Sequence, residues 1–207
     1  CWGSAVVGGV GDGQLGLRLA PSPVSGGHQF RSIMTQNSQS CGVTTSNTLL
    51  CWGRYTTSVS TPTNSPAPVQ IPTPEAVASL AISFDAFQCI LSVSKAAWCR
   101  SLLNTRGQLG TGNTDANNGN FARVTGNHEF EAITVGRSHA CALKASGETY
   151  CWGAGDLVGR VGAPSASSTP TPIEGAHQFV RISAGSNHTC ALTPAGEAWC
   201  WGSTLNS

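Results

Sequence analysis

Residues 138–153 read Ser-His-Ala-Cys-Ala-Leu-Lys-Ala-Ser-Gly-Glu-Thr-Tyr-Cys-Trp-Gly. The pattern is that of a β-hairpin closed by its own disulfide. Ala145-Ser146-Gly147 supplies the turn, with Gly147 free to take positive φ. Folding about Ser146 pairs residues whose numbers sum to 292, so Cys141 faces Cys151. In a non-hydrogen-bonded antiparallel pair their Cβ atoms lie within disulfide reach. A loop this short stabilises by roughly 2–3 kcal/mol in the chain-entropy picture.

The same unit occurs four times, as Cys41/Cys51, Cys89/Cys99, Cys141/Cys151 and Cys190/Cys200, always with nine residues between the cysteines. The second cysteine opens Cys-Trp-Gly at 51–53, 151–153 and 200–202, and Cys99-Arg100-Ser101 in the remaining copy. Cys1-Trp2-Gly3 is the motif again, with its partner missing, which gives the expectation that residues precede Cys1. Successive motifs are 50, 48, 52 and 49 residues apart. Periods of that length belong to propellers, solenoids or arrays.

The register makes its own test. Ala140 should face Trp152 and Ala142 Tyr150; Thr189 should face Trp201 and Ala191 Trp199; Ser40 should face Trp52 and Gly42 Leu50. Each pair sets a small residue beneath a large one, as cross-strand packing requires. In the second copy Trp becomes Arg100 and the facing residue becomes Gln88, while Ile90 faces Trp98. Two positions changing together within one repeat support the pairing.

Other positions recur in phase. Gly13-Gln-Leu-Gly16, Gly107-Gln-Leu-Gly110 and Gly159-Arg-Val-Gly162 follow the Cys-Trp-Gly motif and read as one turn element. Gly-x-His-x-Phe follows at 26–30, 126–130 and 175–179, then short apolar strands around Ile33, Ile133 and Ile182. Gly136/His139 and Gly185/His188 lead into hairpins, where the first repeat has Gln36/Gln39. Residues 54–74 depart from the pattern, with prolines at 62, 66, 68, 72 and 74. That density predicts extended polyproline structure without sheet pairing, either a surface loop or an O-glycosylated or docking segment.

Composition narrows the function classes. Only 10% of residues are charged, against about 25% in an average globular protein. Lysine occurs only at 95 and 144, and the net charge of +1 offers no electrostatic footprint for nucleic acid or an anionic membrane surface. The longest apolar run, 76–82, is far short of the ~20 residues of a membrane span. No signal peptide is visible. Evenly spaced cysteines without CxxC clusters favour disulfides over metal or redox chemistry, hence an oxidising, extracellular or lumenal compartment.

These motifs together (Gly-Gln-Leu-Gly, Phe-x-x-Ile, Gly-x-x-His-x-Cys-Ala-Leu and Tyr/Trp-Cys-Trp-Gly) resemble the repeat of the RCC1-like, or regulator of chromosome condensation, β-propeller family. The cysteine-paired form is similar to its extracellular branch. The resemblance implies an all-β propeller of ~50-residue repeats, with about four blades covered and a disulfide-closed hairpin in each. Residues 1–207 are read as a single propeller or propeller segment. Its repeats run over about 1–50, 51–98, 99–150 and 151–199, with 200–207 starting the next. The resemblance implies a larger ring, commonly of seven blades.

The five histidines, His28, His128, His177, His139 and His188, repeat in phase on different blades and read as structural braces. No acid pair, nucleophile elbow, P-loop or zinc motif stands out, so no catalytic residue, metal or cofactor is expected. Asn187-His188-Thr189 is the one N-glycosylation sequon. Thr61, Thr63, Ser65, Thr169 and Thr171 lie in proline-rich steps that suit O-linked sugars. The expected function is a non-enzymatic, secreted or cell-surface module, a structural subunit or interaction surface of a filament, sheath or wall. It would contact a protein partner or other copies through exposed blade edges. The alternatives are a monomeric recognition domain for a protein or glycan, with loops 11–23 and 115–121 as its rim, and a guanine-nucleotide exchange factor as in nuclear members of the family.

Overall fold

The computed structural model describes residues 1–56, 62–83, 87–155, 166–175 and 177–203. Among these there is no α-helix. A ribbon of β1 (Gly3–Ala5) and β2 (Gly16–Arg18) comes first. Then come β3 (Phe30–Gln36), β4 (Gln39–Thr44), β5 (Leu49–Thr56) and β6 (Pro62–Gln70) in one sheet. The next sheet contains β7 (Val77–Ile82), β8 (Gln88–Ser92), β9 (Ala97–Arg100) and β10 (Ala122–Arg123). The third contains β11 (Ala132–Val135), β12 (His139–Leu143), β13 (Thr149–Ala154) and β14 (Ala166–Pro172). The last is three-stranded, with β15 (Arg181–Ala184), β16 (His188–Leu192) and β17 (Ala198–Gly202). Every sheet is an antiparallel meander with strands in chain order, the blade topology of a β-propeller.

The hairpin at 139–153 has the register its numbering demands: Ala140 pairs with Trp152, Cys141 with Cys151 and Ala142 with Tyr150. Ser40/Trp52, Gln88/Arg100, Ile90/Trp98 and Thr189/Trp201 pair likewise. Asn47, Lys95, Gly147 and Gly196 hold one and the same turn position, with φ of 66°, 65°, 88° and 86°. All four hairpins therefore use one turn geometry, with a left-handed residue closing it.

One face of each hairpin carries the disulfide and the other carries the Cys-Trp-Gly tryptophan or its substitute. Successive sheets stack these faces together. Cys89, Leu91 and Cys99 of the second sheet share a buried core with Ala140, Ala142, Trp152 and Phe130 of the third. Cys141 and Cys151 are in turn covered by Ile182 and Trp201 of the last sheet. A single sheet would leave one apolar face in water, so the stack supplies the core.

Two expectations are corrected. The proline-rich stretch pairs as a strand: β6 runs alongside β5, with Arg54 opposite Asn64 and Tyr55 opposite Thr63. Between the pairs Cys51/Val69 and Gly53/Ser65, three residues of β6 face one of β5. Pro66 and Pro68 fall in that bulge, where the ladder needs no amide, and β6 is an edge strand. β14 repeats the device, with Pro170 in the bulge between Ser167 and Thr171.

The second correction concerns phase. The counterpart of Gly107-Gln-Leu-Gly110 is Gly8-Gly-Val-Gly11, not Gly13-Gln-Leu-Gly16. Trp152 Nε1 donates to the Gln108 carbonyl at 2.9 Å, and Trp52 Nε1 donates to the Gly9 carbonyl at 3.0 Å. Leu109 and Val10 are buried, whereas Leu15 is exposed. Gly110 and Gly11 have φ of +70° and +81° and lie so close to the indoles that an added Cβ would meet Nε1 at 2.8 and 2.5 Å. Glycine is required at both places by conformation and by space. The third copy predicted for this element, 159–162, lies outside the described residues.

Candidate functional site

The cysteine sites are built by the hairpins. Cys41–Cys51, Cys89–Cys99, Cys141–Cys151 and Cys190–Cys200 are bonded, with Cα–Cα separations of 4.0, 4.1, 4.1 and 4.1 Å. That is the narrow spacing of a non-hydrogen-bonded pair. The first three disulfides are fully buried under the following sheet. Cys1 is unbonded and half-buried.

His28, His128 and His177 each pack on the phenylalanine two residues later, with ring centroids 6.0, 5.5 and 5.8 Å apart. His128 also leans on Tyr150 at 4.6 Å and His177 on Trp199 at 4.1 Å. Burial, with the nearby Lys144 charge adding to it, holds His128 below the ordinary imidazole range. His139 does something different: fully buried, its Nε2 hydrogen-bonds Thr189 Oγ1 at 2.8 Å across two blades. Among the described residues no three of His, Cys, Asp and Glu cluster as a metal site.

Arg100 is the sharpest departure from the repeat. It occupies the tryptophan slot and is buried. Its Nε donates to Gln88 Oε1 at 2.9 Å, and the guanidinium sits 5.1 Å from the Phe121 ring centroid. Burial pushes its pKa down to about 10, opposed by Tyr55. The covarying Gln88 signalled this pair in the sequence; Phe121 carried no such signal.

The first strands of the four larger sheets border a cavity of about 280 Å³, lined by Met34, Ile82, Val135, Arg137, Ser183 and Ser186 among others. No sequence motif marked it, because its lining comes one short segment from each repeat. The two expected rim loops differ in character. Residues 11–23 include β2, and Arg18 Nε pairs with Asp12, whose carboxyl that bond lowers below its usual range. Residues 115–121 are held by Asn104 Nδ2, which donates to the carbonyls of Asn113 and Asp115 at 3.1 and 2.9 Å.

The glycosylation candidates divide by their hydrogen bonds. Thr63 and Thr169 are exposed. Ser65 Oγ donates to the Ala67 carbonyl at 2.7 Å, and Thr171 Oγ1 to the Cys151 carbonyl at 3.1 Å. Asn187 is half-buried in the turn before β16, and Thr61 lies outside the described residues.

Comparison with known proteins matches this geometry. Residues 130–157 and 179–207 fit a family model described as a regulator of chromosome condensation (RCC1) repeat, and a second model of the same description fits 146–192. Residues 130–207 carry the RCC1 repeat, and the described sheets have the fold of an RCC1-like β-propeller. Human WBSCR16 resembles it with a TM-score of 0.74 at 18% identity, over 89% of this chain and 49% of that one. Yeast RCC1 (Prp20), in a crystal structure bound to Kap60, gives a TM-score of 0.75 at 18% identity, over 91% and 47%. The entire ectodomain of the Physcomitrella patens receptor kinase CR4 gives 0.56 at 22%, over 93% and 44%. At these identities the likeness is one of fold. The RCC1-like propeller described here spans about half the length of each of these structures. No curated relative matches by sequence.

Proposed function

We propose that this RCC1-like propeller is a non-enzymatic module of an oxidising, extracellular or cell-surface setting. In this reading it serves as a structural subunit or protein-interaction surface of a larger assembly. The observation that carries the reading is the set of four cross-strand disulfides, three of them wholly buried. Such bonds form and persist where thiols are not kept reduced. Support also comes from the solved relatives: one is a receptor-kinase ectodomain, and another is a propeller bound to a protein partner. The low charge fits contact with other proteins better than isolation in water. Residues 1–207 act as one unit in this reading, with glycans at Asn187, Thr63 and Thr169 on its outside. The rival is a monomeric recognition domain for a protein or glycan. Exchange activity on a guanine nucleotide-binding protein is disfavoured by the disulfides.

The setting is tested on the source cells. A membrane-impermeant lysine reagent applied to intact cells should label the protein at Lys95, whose side chain is about half exposed. Labelling only after lysis would overturn the extracellular reading. The structural and recognition readings separate by sedimentation, since a structural subunit gains mass with concentration and a recognition monomer does not.

A further inference from the structure

We infer that the Asn187 sequon accepts a glycan only while the hairpin of β16 and β17 is still open, so that glycan transfer and closure of Cys190–Cys200 compete for one segment of the emerging chain. This rests on the extracellular reading above, which supplies the glycan, and adds the timing of its attachment.

The motif Asn187-His188-Thr189 runs from the turn before β16 into the strand itself. Transfer forms a bond between Asn187 Nδ2 and the anomeric carbon of an oligosaccharide carried on a lipid pyrophosphate. The bond from sugar to pyrophosphate breaks, the lipid pyrophosphate leaves, and one amide proton passes to solvent. The transferase reads the motif through the hydroxyl of its third residue, so Thr189 must be within reach as well as Asn187.

The folded chain takes that hydroxyl away. Thr189 is fully buried. Its Oγ1 hydrogen-bonds His139 Nε2 at 2.8 Å and lies 3.7 Å from Cys141 Sγ, both in β12 of the preceding sheet. Its backbone is held from both sides, opposite Ala184 of β15 and Trp201 of β17. The Asn187 carbonyl accepts from Ser203 N at 2.8 Å, just past the end of β17. Cys190, the next residue after the motif, is bonded to Cys200. The burial belongs to the position in the repeat. Ser40, Gln88 and Ala140 hold it in the other hairpins, opposite Trp52, Arg100 and Trp152, and all three are buried.

Chain order sets the window. His139 and Cys141 are made before Thr189, whereas Cys200 follows Asn187 by thirteen residues. At about 5–20 residues per second that delay is roughly 1–3 s. Disulfide formation then takes seconds or longer. Until β17 arrives and the bond closes, nothing pins Thr189 from that side.

The test uses the 207-residue chain carrying Asp115→Thr, which completes a second sequon at Asn113 where residues 113–115 are all exposed. Unglycosylated, oxidised protein is given to purified oligosaccharyltransferase and lipid-linked oligosaccharide. The same chain is translated into endoplasmic-reticulum vesicles behind a secretory leader, with and without dithiothreitol. Glycopeptide mass spectrometry reads occupancy at each site. In the folded protein Asn187 should be modified about tenfold less than Asn113, because transfer there waits for local opening. During translation its occupancy should rise about twofold with dithiothreitol, and by a similar factor with Cys200→Ser alone, since either delays closure. Asn187 filled in the folded protein as fully as Asn113 overturns the timing and leaves the glycan reading standing. Occupancy during translation that ignores both dithiothreitol and Cys200→Ser does the same. Asn187 empty in every arm while Asn113 is filled overturns the glycan at Asn187 and the timing with it.

Discussion

The sheets of β7–β10 and β11–β14 differ at one slot. In the later sheet the slot holds Trp152, fully buried over Ala140, with its indole N–H on the Gln108 carbonyl. In the earlier one it holds Arg100, equally hidden over Gln88, with its guanidinium against Phe121. Strand pairing, turn and disulfide are the same on both sides of this difference. The hairpin frame thus does not depend on what fills the slot. The slot needs bulk, one donor aimed at a nearby oxygen and a facing residue of complementary size.

The comparison can be broken most forcefully at the slot itself. Trp152→Ala removes a large buried ring and should cost about 3–5 kcal/mol in urea denaturation. Arg100→Ala should cost less, about 1–3 kcal/mol, because the main loss is the Gln88 hydrogen bond and the packing of the stem. Equal losses would mean that the two side chains do the same packing work.

The frame is tested by its staples. Replacing Cys141 and Cys151 together by serine should cost about 2–3 kcal/mol, and the Cys89/Cys99 pair should cost the same amount. A clear inequality would show that the slot does bear on the frame. A swap sharpens the point further. Arg100→Trp alone meets Gln88, whereas Arg100→Trp with Gln88→Ala restores the large-over-small pair. The double-mutant cycle should show a favourable coupling of about 1 kcal/mol.

Smaller differences separate the turns and the outer edges. Lys95 holds the left-handed position that Gly147 holds in the later sheet. Lys95→Gly should stabilise by about 0.5–1 kcal/mol, less what is lost with the exposed Glu131 contact. At the edge, Glu75 stands where the later sheet has His128: Val77 N donates to the Asn47 carbonyl as Phe130 N does to the Lys95 carbonyl. His128 is lowered by burial, so the unfolded chain binds more protons between that lowered value and 6.5. Stability should therefore fall as pH drops through this window, and His128→Ala should flatten the fall. Glu75 is lowered chiefly by its Ser94 hydrogen bond, so its contribution is present above 4.5 and is lost at more acid pH. Thermal melts across pH separate the two windows.

The hairpins were legible because their information is local. Ten-residue cysteine spacing, a turn and a small-over-large pair determine register without distant contacts. Gln88 with Arg100 even showed where the pattern changes. Two readings failed for lack of tertiary context. Gly13-Gln-Leu-Gly16 matches Gly107-Gln-Leu-Gly110 by letter, but what defines the element is a carbonyl beneath an indole, which Gly9 supplies for Trp52. The proline-rich stretch pairs against the expectation from its composition because a bulge in an edge strand, where Pro66 and Pro68 need no donor, leaves no mark in composition. The cavity along the first strands was invisible for the same reason, being assembled from separate repeats.

The central claim is a stack of hairpins, each closed by its own disulfide. Peptide mapping of the unreduced protein from its native source tests it most directly. The account predicts Cys41–Cys51, Cys89–Cys99, Cys141–Cys151 and Cys190–Cys200 and no bond between hairpins. Free thiols at those eight positions, or any bond joining two hairpins, would contradict it.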